Sequence, residues 1–584
     1  MESMLDTTTR LLFDQHEPKL TGSTMVGAVL LIHLLFTLWK KSTTTTTATT
    51  TKKKKSTKKP WPTVLGRLPL VGHFHLVGDP SNLVNKCEEW AQVYGKETGC
   101  FEINLMGVSF VVVCNEERVQ EVLRHRPHGV IRNRQMTAAA RSVGADGLFA
   151  AEHHQWQQDR RHVAPTFNHN QLRNYIPHFH TVMQRLVDKW TNDSTTTNDV
   201  VINRDLFCYA LDTTALTTLG KDYDTLRTGE GTTTTNNKNI QEGKDLQLML
   251  RKVKGSVRVI SPVAYWRIPL IGQYLDGMGW SINRLIKSTS QIVDNLRRTN
   301  DKNNNDDNDD AFFIKKMVRR EARRSSPPSS SLPSLDRHRI IGNALTLIMA
   351  GTDSSHSTLC SIVQTLAQDE TGLQQELYDE IHTQLLHDGK DIGSLTLDDL
   401  LLHNNSSSNS HIPRLKSFLY EVFRFHPAFP FLMFRSERDI PLAGSTLPKG
   451  TEIMSLLRYS SVTNPHSPPT DVARGPNNVD PTVFCPRRFL VQGNSDDDDK
   501  VGVRLPSRNS TSFLTFGHGS RVCVGKTYAE ASVLLFIIYL IDNFESIRLA
   551  PNHEPIGRTT VMASLPDRDV RVALTPRKQQ QQQT

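Results

Sequence analysis

Phe516-Gly517-His518-Gly519-Ser520-Arg521-Val522-Cys523-Val524-Gly525 is a ten-residue stretch near the C-terminus of this 584-residue chain. An apolar pattern with helical periodicity, 524–541, follows at once, so Cys523 stands at the start of a predicted helix. Backbone N–H groups and the helix dipole lower the pKa of a thiol there, and the thiolate is the form that binds soft metal ions. The stretch therefore predicts a metal-binding thiolate at position 523.

The residues around Cys523 suit a flat, acidic cofactor. Gly519 and Gly525 let a turn pass close to a flat group, Arg521 offers a fork for a carboxylate such as a porphyrin propionate, and Phe516 can shield the sulfur. The spaced pattern Phe-x-x-Gly-x-Arg-x-Cys-x-Gly arises by chance in a chain this long on the order of once in ten thousand. A buried free cysteine before a core helix is therefore the weaker interpretation.

This stretch is similar to the haem-binding signature of the cytochrome P-450 family. The resemblance implies that haem b is the cofactor and that Cys523 is the metal ligand, with Phe516, Gly519, Arg521 and Gly525 around it. It also implies that family's fold, which is mainly α (α+β): a helical body with small β-sheets.

Three further motifs support the resemblance. Glu421 and Arg424, in LYEVFRFHPAFP, resemble the family's ExxR helix, and their spacing of three puts both charges on one helix face. Arg488, in FCPRRF, is similar to the family's FxPxRF segment, which implies a structural triad with Glu421 and Arg424. Trp156 and Arg160 resemble its WxxxR helix, which implies that they meet the haem propionates. Alone, each motif is weak, because charged side chains on helices are usually solvated.

The run Ile348-Met349-Ala350-Gly351-Thr352-Asp353-Ser354-Ser355 is similar to the family's distal AGx(D/E)T segment, which implies a catalytic set of Ala350, Gly351, Asp353 and Ser354. Gly351 is expected to leave room above the iron and Asp353 to feed protons. The Ser354 hydroxyl is expected to bond back to the Ala350 carbonyl and bend the helix. Ser354 replaces the family's usual Thr, so it keeps the hydroxyl but lacks the methyl that fixes the rotamer.

Helical periodicity dominates the chain. Hydrophobic residues are 37% and charged residues 22% of the total, which is enough for a large buried core and excludes wholesale disorder. Apolar residues recur at spacings of three and four in 172–190, 245–253, 282–298, 340–366, 372–386, 415–425 and 524–541. Strand-like runs are few and short, the clearest being 100–105, 108–114 and 452–457. These patterns favour a mainly helical protein.

The N-terminus predicts a membrane anchor. Residues 20–39 are largely apolar and would span roughly 30 Å as a helix, the thickness of a bilayer core. Lysines follow this run in 40–59, so the positive-inside rule places the rest of the chain in the cytoplasm. A cleaved signal peptide and an organellar transit peptide remain alternatives. The resemblance points to the endoplasmic reticulum membrane, with one span and a cytoplasmic catalytic domain.

Compositional shifts divide the chain into five parts. We predict an N-terminal lead (1–19), the anchor (20–39), a Thr/Lys-rich linker (40–59), one haem-thiolate catalytic domain (60–575) and a Gln-rich tail (576–584). Low-complexity tracts inside the catalytic domain are interpreted as loop insertions, because patterned segments continue on both sides of them.

Charge and cysteine usage exclude other classes. The net charge of +9 comes largely from the lysines between positions 40 and 59, so nucleic acid is not indicated as a partner. Seven cysteines stand at wide, irregular spacings without a CxxC, which argues against a zinc site or a secreted disulfide framework.

The resemblance implies a monooxygenase that inserts one oxygen atom from O₂ into a lipophilic organic substrate. No flavin or dinucleotide fingerprint is present, so electrons are expected from a separate NADPH-dependent flavoprotein reductase. Two alternatives stay open: a reductase-independent isomerase or dehydratase that acts on peroxides, and a haem-binding carrier or sensor without turnover.

Overall fold

The computed structural model describes residues 61–69, 71–192, 199–227, 238–253, 278–300, 312–324, 336–401, 410–463, 475–492, 501–506, 513–560 and 562–577. The helices in these ranges are α1 (Phe74–Val77), α2 (Leu83–Tyr94), α3 (Glu116–Arg124), α4 (Arg134–Ser142), α5 (His153–Val163), α6 (His169–Arg173), α7 (Ile176–Asn192), α8 (Ile202–Leu219), α9 (Lys238–Val253), α10 (Met278–Asn300), α11 (Phe313–Arg324), α12 (Arg337–Ala367), α13 (Leu373–Gln384), α14 (Leu397–Leu401), α15 (Pro413–Phe425) and α16 (Lys526–Asn543).

The predicted helices are present, with one correction. The pattern 172–190 spans parts of two helices, α6 and α7, rather than one. Pro177 lies in the first turn of α7, where its missing N–H is tolerated, so the chain restarts a helix there instead of continuing one. The apolar pattern does not predict helix α8, because this helix is buried on nearly all sides and carries four threonines. It therefore shows no apolar stripe.

The chain forms more strands than the sequence patterns predict. They are β1 (Cys100–Leu105), β2 (Val108–Val113), β3 (Val130–Arg132), β4 (Val200–Val201), β5 (Phe431–Ser436), β6 (Ile440–Leu442), β7 (Ser445–Leu447), β8 (Glu452–Leu456), β9 (Leu490–Gln492), β10 (Val501–Val503), β11 (Phe544–Leu549), β12 (Arg558–Thr560), β13 (Ser564–Pro566) and β14 (Arg571–Pro576). The predicted strands are β1, β2 and β8. Most of the others have two or three residues, too few to show an alternating pattern.

The largest sheet has the strand order β1-β2-β8-β5-β3, in which β2 and β8 run parallel and the other neighbours antiparallel. A second sheet has the order β11-β14-β4, and the remaining described strands form two-stranded pairs.

Two long helices form the centre of the helical body. Helix α16 is buried all round from Ala531 to Ile541, because this stretch is almost continuously apolar. Helix α12 packs closely against α8: a Cβ added at Gly351 would lie 2.8 Å from Cγ2 of Thr214, so the contact requires glycine at this position. The middle of α12 and the loop before α16 line one cavity, the candidate site described next.

The predicted lead, anchor and linker (1–59) lie outside the described residues, as does the end of the predicted tail. Among the helices described here, none combines the length and the apolarity needed to cross a bilayer.

Candidate active site

The cysteine loop is held by its own backbone. The Cys523 N–H donates to the Phe516 carbonyl at 2.8 Å, and the Val522 N–H donates to the Gly519 carbonyl at 3.1 Å. Gly519 has φ of 71°, in the left-handed region that favours glycine, and it begins the short 3₁₀ turn Gly519–Arg521. The loop is thus closed before α16 begins.

The Cys523 side chain is exposed to the cavity and otherwise enclosed by protein. Burial raises the pKa of its thiol, while a hydrogen bond from the Gly525 backbone and the charges of Arg160 and Arg132 act in the opposite direction. Gly525 is the N-cap of α16, so the helix start lowers this pKa as expected. The net direction is upward because burial of the sulfur outweighs that contribution.

The cavity has a volume of about 340 Å³ and is lined by both the cysteine loop and α12. Cys523 and Phe516 come from the loop, and Ala350, Asp353 and Ser354 come from the helix. The segments 127–147 and 427–435 both contribute lining residues. Most of the other lining side chains are apolar, among them Leu347, Met349, Phe429, Leu432 and Met562.

Three arginines, Arg126, Arg132 and Arg521, line the cavity and are called here the cavity arginines. The Nε atoms of all three, and Nη2 of Arg126, are buried without a hydrogen-bond partner in the described part of the chain. Burial, with Arg132 nearby, lowers the pKa of Arg126, and burial lowers the pKa of Arg521 to about 10. Because buried guanidinium groups need anionic partners, this cluster fits a ligand that carries carboxylates.

One carboxylate of the protein lies among the cavity arginines. Glu152 is ion-paired with Arg521, which also donates to the Ala151 carbonyl at 3.0 Å. The other oxygen of Glu152 accepts a hydrogen bond from the backbone N–H of Arg132 at 2.9 Å. A single carboxylate leaves positive charge uncompensated, so there is electrostatic room for further acidic groups.

Trp156 and Arg160 lie on α5, but neither is among the residues that line the cavity. The Arg521 guanidinium lies 4.5 Å from the centre of the Trp156 ring, and Arg160 Nη1 donates to the Val522 carbonyl at 2.6 Å. Trp156 therefore supports Arg521, and Arg160 supports the cysteine loop. The expected direct role of both with the propionates stays a prediction.

Asp159, on the same helix, was not singled out from the sequence. It is fully buried, forms an ion pair with Arg339 of α12 and accepts a hydrogen bond from Asn343 at 3.3 Å. Burial raises the pKa of this carboxyl, and the contact with Arg339 opposes the rise. The group ties α5 to α12.

The distal helix carries the predicted back-bond. Ser354 Oγ donates to the Ala350 carbonyl at 2.7 Å, which confirms that expectation. Asp353 is buried and reaches the cavity wall. The Cβ direction of Gly351 points at Thr214, so packing against α8 accounts for the glycine, in addition to any space it leaves above the iron.

Glu421, Arg424 and Arg488 form the predicted network, called here the structural triad. Arg424 donates to both Glu421 oxygens at 2.8 Å, and Arg488 Nε donates to the same carboxylate at 2.9 and 3.1 Å. Other guanidinium N–H groups of both arginines donate to carbonyls of 479–483, and the Cys485 N–H donates to Glu421 at 2.8 Å. The triad fixes the segment before the cysteine loop.

A family model described as cytochrome P450 matches residues 62–568. The chain belongs to the cytochrome P450 family. Members of this P450 family bind haem b through a cysteine thiolate, and Cys523 with the cavity arginines provides a thiol and a carboxylate-binding end in one cavity.

Curated P450 relatives match over part of their length. Cytochrome P450 10 of Lymnaea stagnalis is 25% identical over 245 residues, 42% of this chain and 39% of the relative. Geranylhydroquinone 3''-hydroxylase CYP76B74 of Arnebia euchroma is 30% identical over 213 residues, 36% of each chain. The mitochondrial 25-hydroxyvitamin D-1 alpha hydroxylase of Mus musculus is 26% identical over 238 residues, 41% of this chain and 40% of the relative. The chain thus matches about two fifths of the length of these relatives.

Among solved structures, the crystal structure of a cytochrome P450 (CYP102L1) superposes with a TM-score of 0.65 at 18% identity, covering 89% of this chain and 99% of that one. This likeness shows the P450 fold.

Sequence analysis missed Arg126, Arg132 and Glu152. The available signal was the basic run Arg124-His125-Arg126-Pro127-His128-Gly129-Val130-Ile131-Arg132-Asn133-Arg134. Which of its arginines turn inward depends on the short strand β3, whose register follows from pairing with β5.

Proposed function

We propose that the protein is a haem-thiolate monooxygenase that inserts one oxygen atom from O₂ into a lipophilic organic substrate. The observation that carries the proposal is the shared cavity, in which the Cys523 thiol and the Asp353–Ser354 pair meet an apolar wall. When bound, haem would supply the oxygen-activating redox chemistry that a protein side chain lacks.

The residues divide the remaining work. Cys523 would be the iron ligand, and the cavity arginines would bind the propionates through their unpartnered N–H groups. Phe516 packs edge-to-face on Phe423, with ring centres 5.1 Å apart, and limits access of water to the sulfur. The cysteine loop and the cavity arginines together would fix the orientation of the haem ring.

Proton delivery falls to Asp353 and Ser354. The Ser354 hydroxyl donates to the Ala350 carbonyl. The lone pairs of its oxygen therefore stay available to accept a hydrogen bond from a donor in the cavity. Asp353 is the neighbouring acid at the cavity wall. We propose that the Ser354 hydroxyl turns away from the Ala350 carbonyl and donates its own proton into the cavity while its oxygen takes a proton from the Asp353 carboxyl, directly or through one water.

The substrate is proposed to be uncharged and largely apolar where it meets the protein. Leu347, Met349, Phe429, Leu432 and Met562 provide dispersion contacts and no charge. The charged cavity arginines are assigned to the propionates instead. A fatty acyl, sterol or terpenoid skeleton has the matching chemistry.

Electrons are proposed to come from a separate NADPH-dependent flavoprotein reductase at the endoplasmic reticulum membrane. The apolar run 20–39 and the lysines after it support a single anchor with residues 60–575 as one cytoplasmic catalytic domain. NADPH oxidation supported by such a reductase would separate this proposal from a peroxide-dependent isomerase or a carrier without turnover.

The first test is the reduced carbon monoxide difference spectrum of the purified protein. We expect a strongly red-shifted Soret band in the wild type and its complete loss in C523S, because serine does not provide the thiolate ligand. Cys485 is also a free cysteine and lies near the structural triad, so C485S is the matched control and should keep the band. A histidine-like Soret band in the wild type would overturn the proposal.

The proton route is tested by the ratio of product formed to NADPH consumed. S354A should divert reducing equivalents to peroxide or water, lowering product formed per NADPH by about a hundredfold, the lower end of the range typical of positioned proton donors. Thr365 makes the same kind of back-bond on α12, to Ser361 at 2.7 Å, but does not line the cavity. T365A should therefore leave the ratio unchanged, and an equal loss in both variants would contradict the route.

A further inference from the structure

Lys526, the first residue of α16, stands three positions after Cys523 and holds its ammonium group among three aromatic rings. The Nζ atom lies 5.7 Å from the centre of the Tyr420 ring, 6.0 Å from that of Phe513 and 5.6 Å from that of Phe516. These three rings are called here the aromatic cage. The lysine side chain is only 13% exposed, so the charge is fixed in place rather than solvated.

The negative partner of this lysine is Glu530, one helical turn later. The Glu530 carboxylate lies 3.8 Å from Lys526 Nζ and also accepts a hydrogen bond from the Tyr420 hydroxyl. Two further charged groups face this region from neighbouring helices: Lys416 of α15, whose pKa burial lowers to about 8, and Glu380 of α13. The Lys526–Glu530 pair is thus an oriented pair of charges in a poorly solvated place.

The aromatic cage connects this pair to the cysteine loop. Phe513 and Phe516 belong to the segment that leads into the loop, and the Phe516 carbonyl accepts the Cys523 N–H. The Phe516 ring also lines the cavity. Lys526 therefore lies against a ring that borders the cavity. The Glu530 carboxylate is held by Tyr420, which does not line the cavity, so the two charges are placed differently relative to the site.

We propose that the Lys526–Glu530 pair sets the reduction potential of the metal centre bound by Cys523, with Lys526 raising the potential and Glu530 lowering it. A fixed positive charge favours the state that holds one more electron, and a fixed negative charge disfavours it. The inference rests on the proposed haem-thiolate site. Neither side chain lines the cavity, so both act through their charge as positioning residues.

The size of the effect follows from Coulomb's law. A unit charge about 10 Å away, at an effective dielectric constant of about 20, changes an equilibrium on the order of tenfold. For a one-electron reduction, a tenfold change corresponds to about 59 mV.

The test is the midpoint potential of the substrate-free holoprotein, measured by dye-mediated spectroelectrochemical titration at fixed pH and ionic strength. K526M should shift the reduction equilibrium about tenfold toward the oxidised form, and E530Q should shift it in the opposite direction. K526R keeps the charge and should stay within twofold of the wild type. Lys96 is exposed and distant from the cavity, so K96M is the matched control and should not shift.

Opposite signs for K526M and E530Q distinguish tuning from a structural role, which would move both variants in one direction or neither. The reduced carbon monoxide spectrum is recorded first for each protein. If the wild type lacks the thiolate band, the proposed function fails; if the band is intact and the potentials do not separate, only this inference fails. Should K526M not bind haem, the shift in E530Q and its absence in K526R decide the question.

Discussion

The structural triad and the cavity arginines are two clusters of buried guanidinium groups with opposite electrostatic designs. In the triad, Glu421 receives hydrogen bonds from both arginines, and backbone carbonyls of 479–483 accept most of the others. Among the cavity arginines, four buried N–H-bearing nitrogens have no partner in the described part of the chain, and Glu152 is the carboxylate between them.

The number of satisfied hydrogen bonds distinguishes a structural charge cluster from a ligand-binding cluster. Natural proteins satisfy nearly all buried polar groups, so a satisfied cluster belongs to the fold, and an unsatisfied cluster that lines a cavity points to a ligand. On this criterion the triad stabilises the protein by itself, whereas the cavity arginines cost stability until an acidic ligand is bound.

Removing the triad carboxylate should have the largest effect. E421Q leaves two arginines buried without a counter-charge, and we expect a loss of about 3–5 kcal/mol in the free energy of unfolding, measured by guanidinium denaturation. The control is E89Q, because Glu89 forms an exposed pair with Lys86 at the same spacing of three, and it should cost about 0–1 kcal/mol. Equal losses in the two variants would break the contrast.

Removing a cavity arginine should show the opposite pattern. R126M and R132M should each raise the haem dissociation constant about tenfold, through a lost charged hydrogen bond, without lowering the unfolding midpoint of the haem-free protein. Haem transfer to an acceptor protein gives the first quantity, and denaturation gives the second. Arg124 is exposed and two residues away, so R124M should change neither. If the haem-free R126M variant were destabilised, Arg126 would be a structural residue like the arginines of the triad.

Glu380 is an intermediate case, with hydrogen bonds but a distant cation. It accepts the N–H groups of Arg414 and Leu415 at 2.8 Å, and the nearest Arg414 guanidinium nitrogen is 3.9 Å away. Burial raises the pKa of Glu380 from 4.5 to about 7. The folded state therefore binds this proton more tightly than the unfolded state, and the resulting stability is present below pH 4.5 and lost as the pH rises to about 7.

E380Q should remove that pH dependence. Between pH 5 and pH 7.5 we expect the wild type to lose about 2–3 kcal/mol more than the variant in its free energy of unfolding. Denaturation curves at several pH values measure the difference. If the free energy of unfolding of wild type and E380Q changed with pH in parallel, the Glu380 carboxylate would be stabilised as well as one in an ion pair.

The smallest expected effect concerns the support of a cavity arginine. The Arg132 guanidinium lies 4.1 Å from the centre of the Phe149 ring, which holds it in place by a cation–π contact. F149L should weaken haem binding about threefold. A double-mutant cycle with R132M should show that the two losses are not additive, and full additivity would mean that the ring does not act through Arg132.

Motifs with local chemistry were predictable. The Ser354 back-bond needs only helical geometry, in which residues four apart face each other, and the structure shows it. The Glu421–Arg424 contact follows from a spacing of three on one helix for the same reason. The third member, Arg488, was predicted from the family resemblance, because nothing local in the sequence brings it to α15.

Features that depend on distant segments were not predictable. The net direction of the Cys523 pKa was not predictable because burial of the sulfur outweighs the hydrogen bond from Gly525 and the charges of Arg160 and Arg132. The partners of Trp156 and Arg160, Arg521 and the Val522 carbonyl, are more than 360 residues away in sequence. Such partners follow from packing rather than from spacing.

Sequence patterns alone identify the family, Cys523, the Asp353–Ser354 pair and the Glu421–Arg424 pair, because each is carried by residues at short, fixed spacings. The tertiary structure decided which arginines face the cavity, why Gly351 must be glycine, and how Lys526 is caged beside the cysteine loop. The physical reason is that burial and counter-charges are properties of the folded environment, assembled from segments that no local pattern connects.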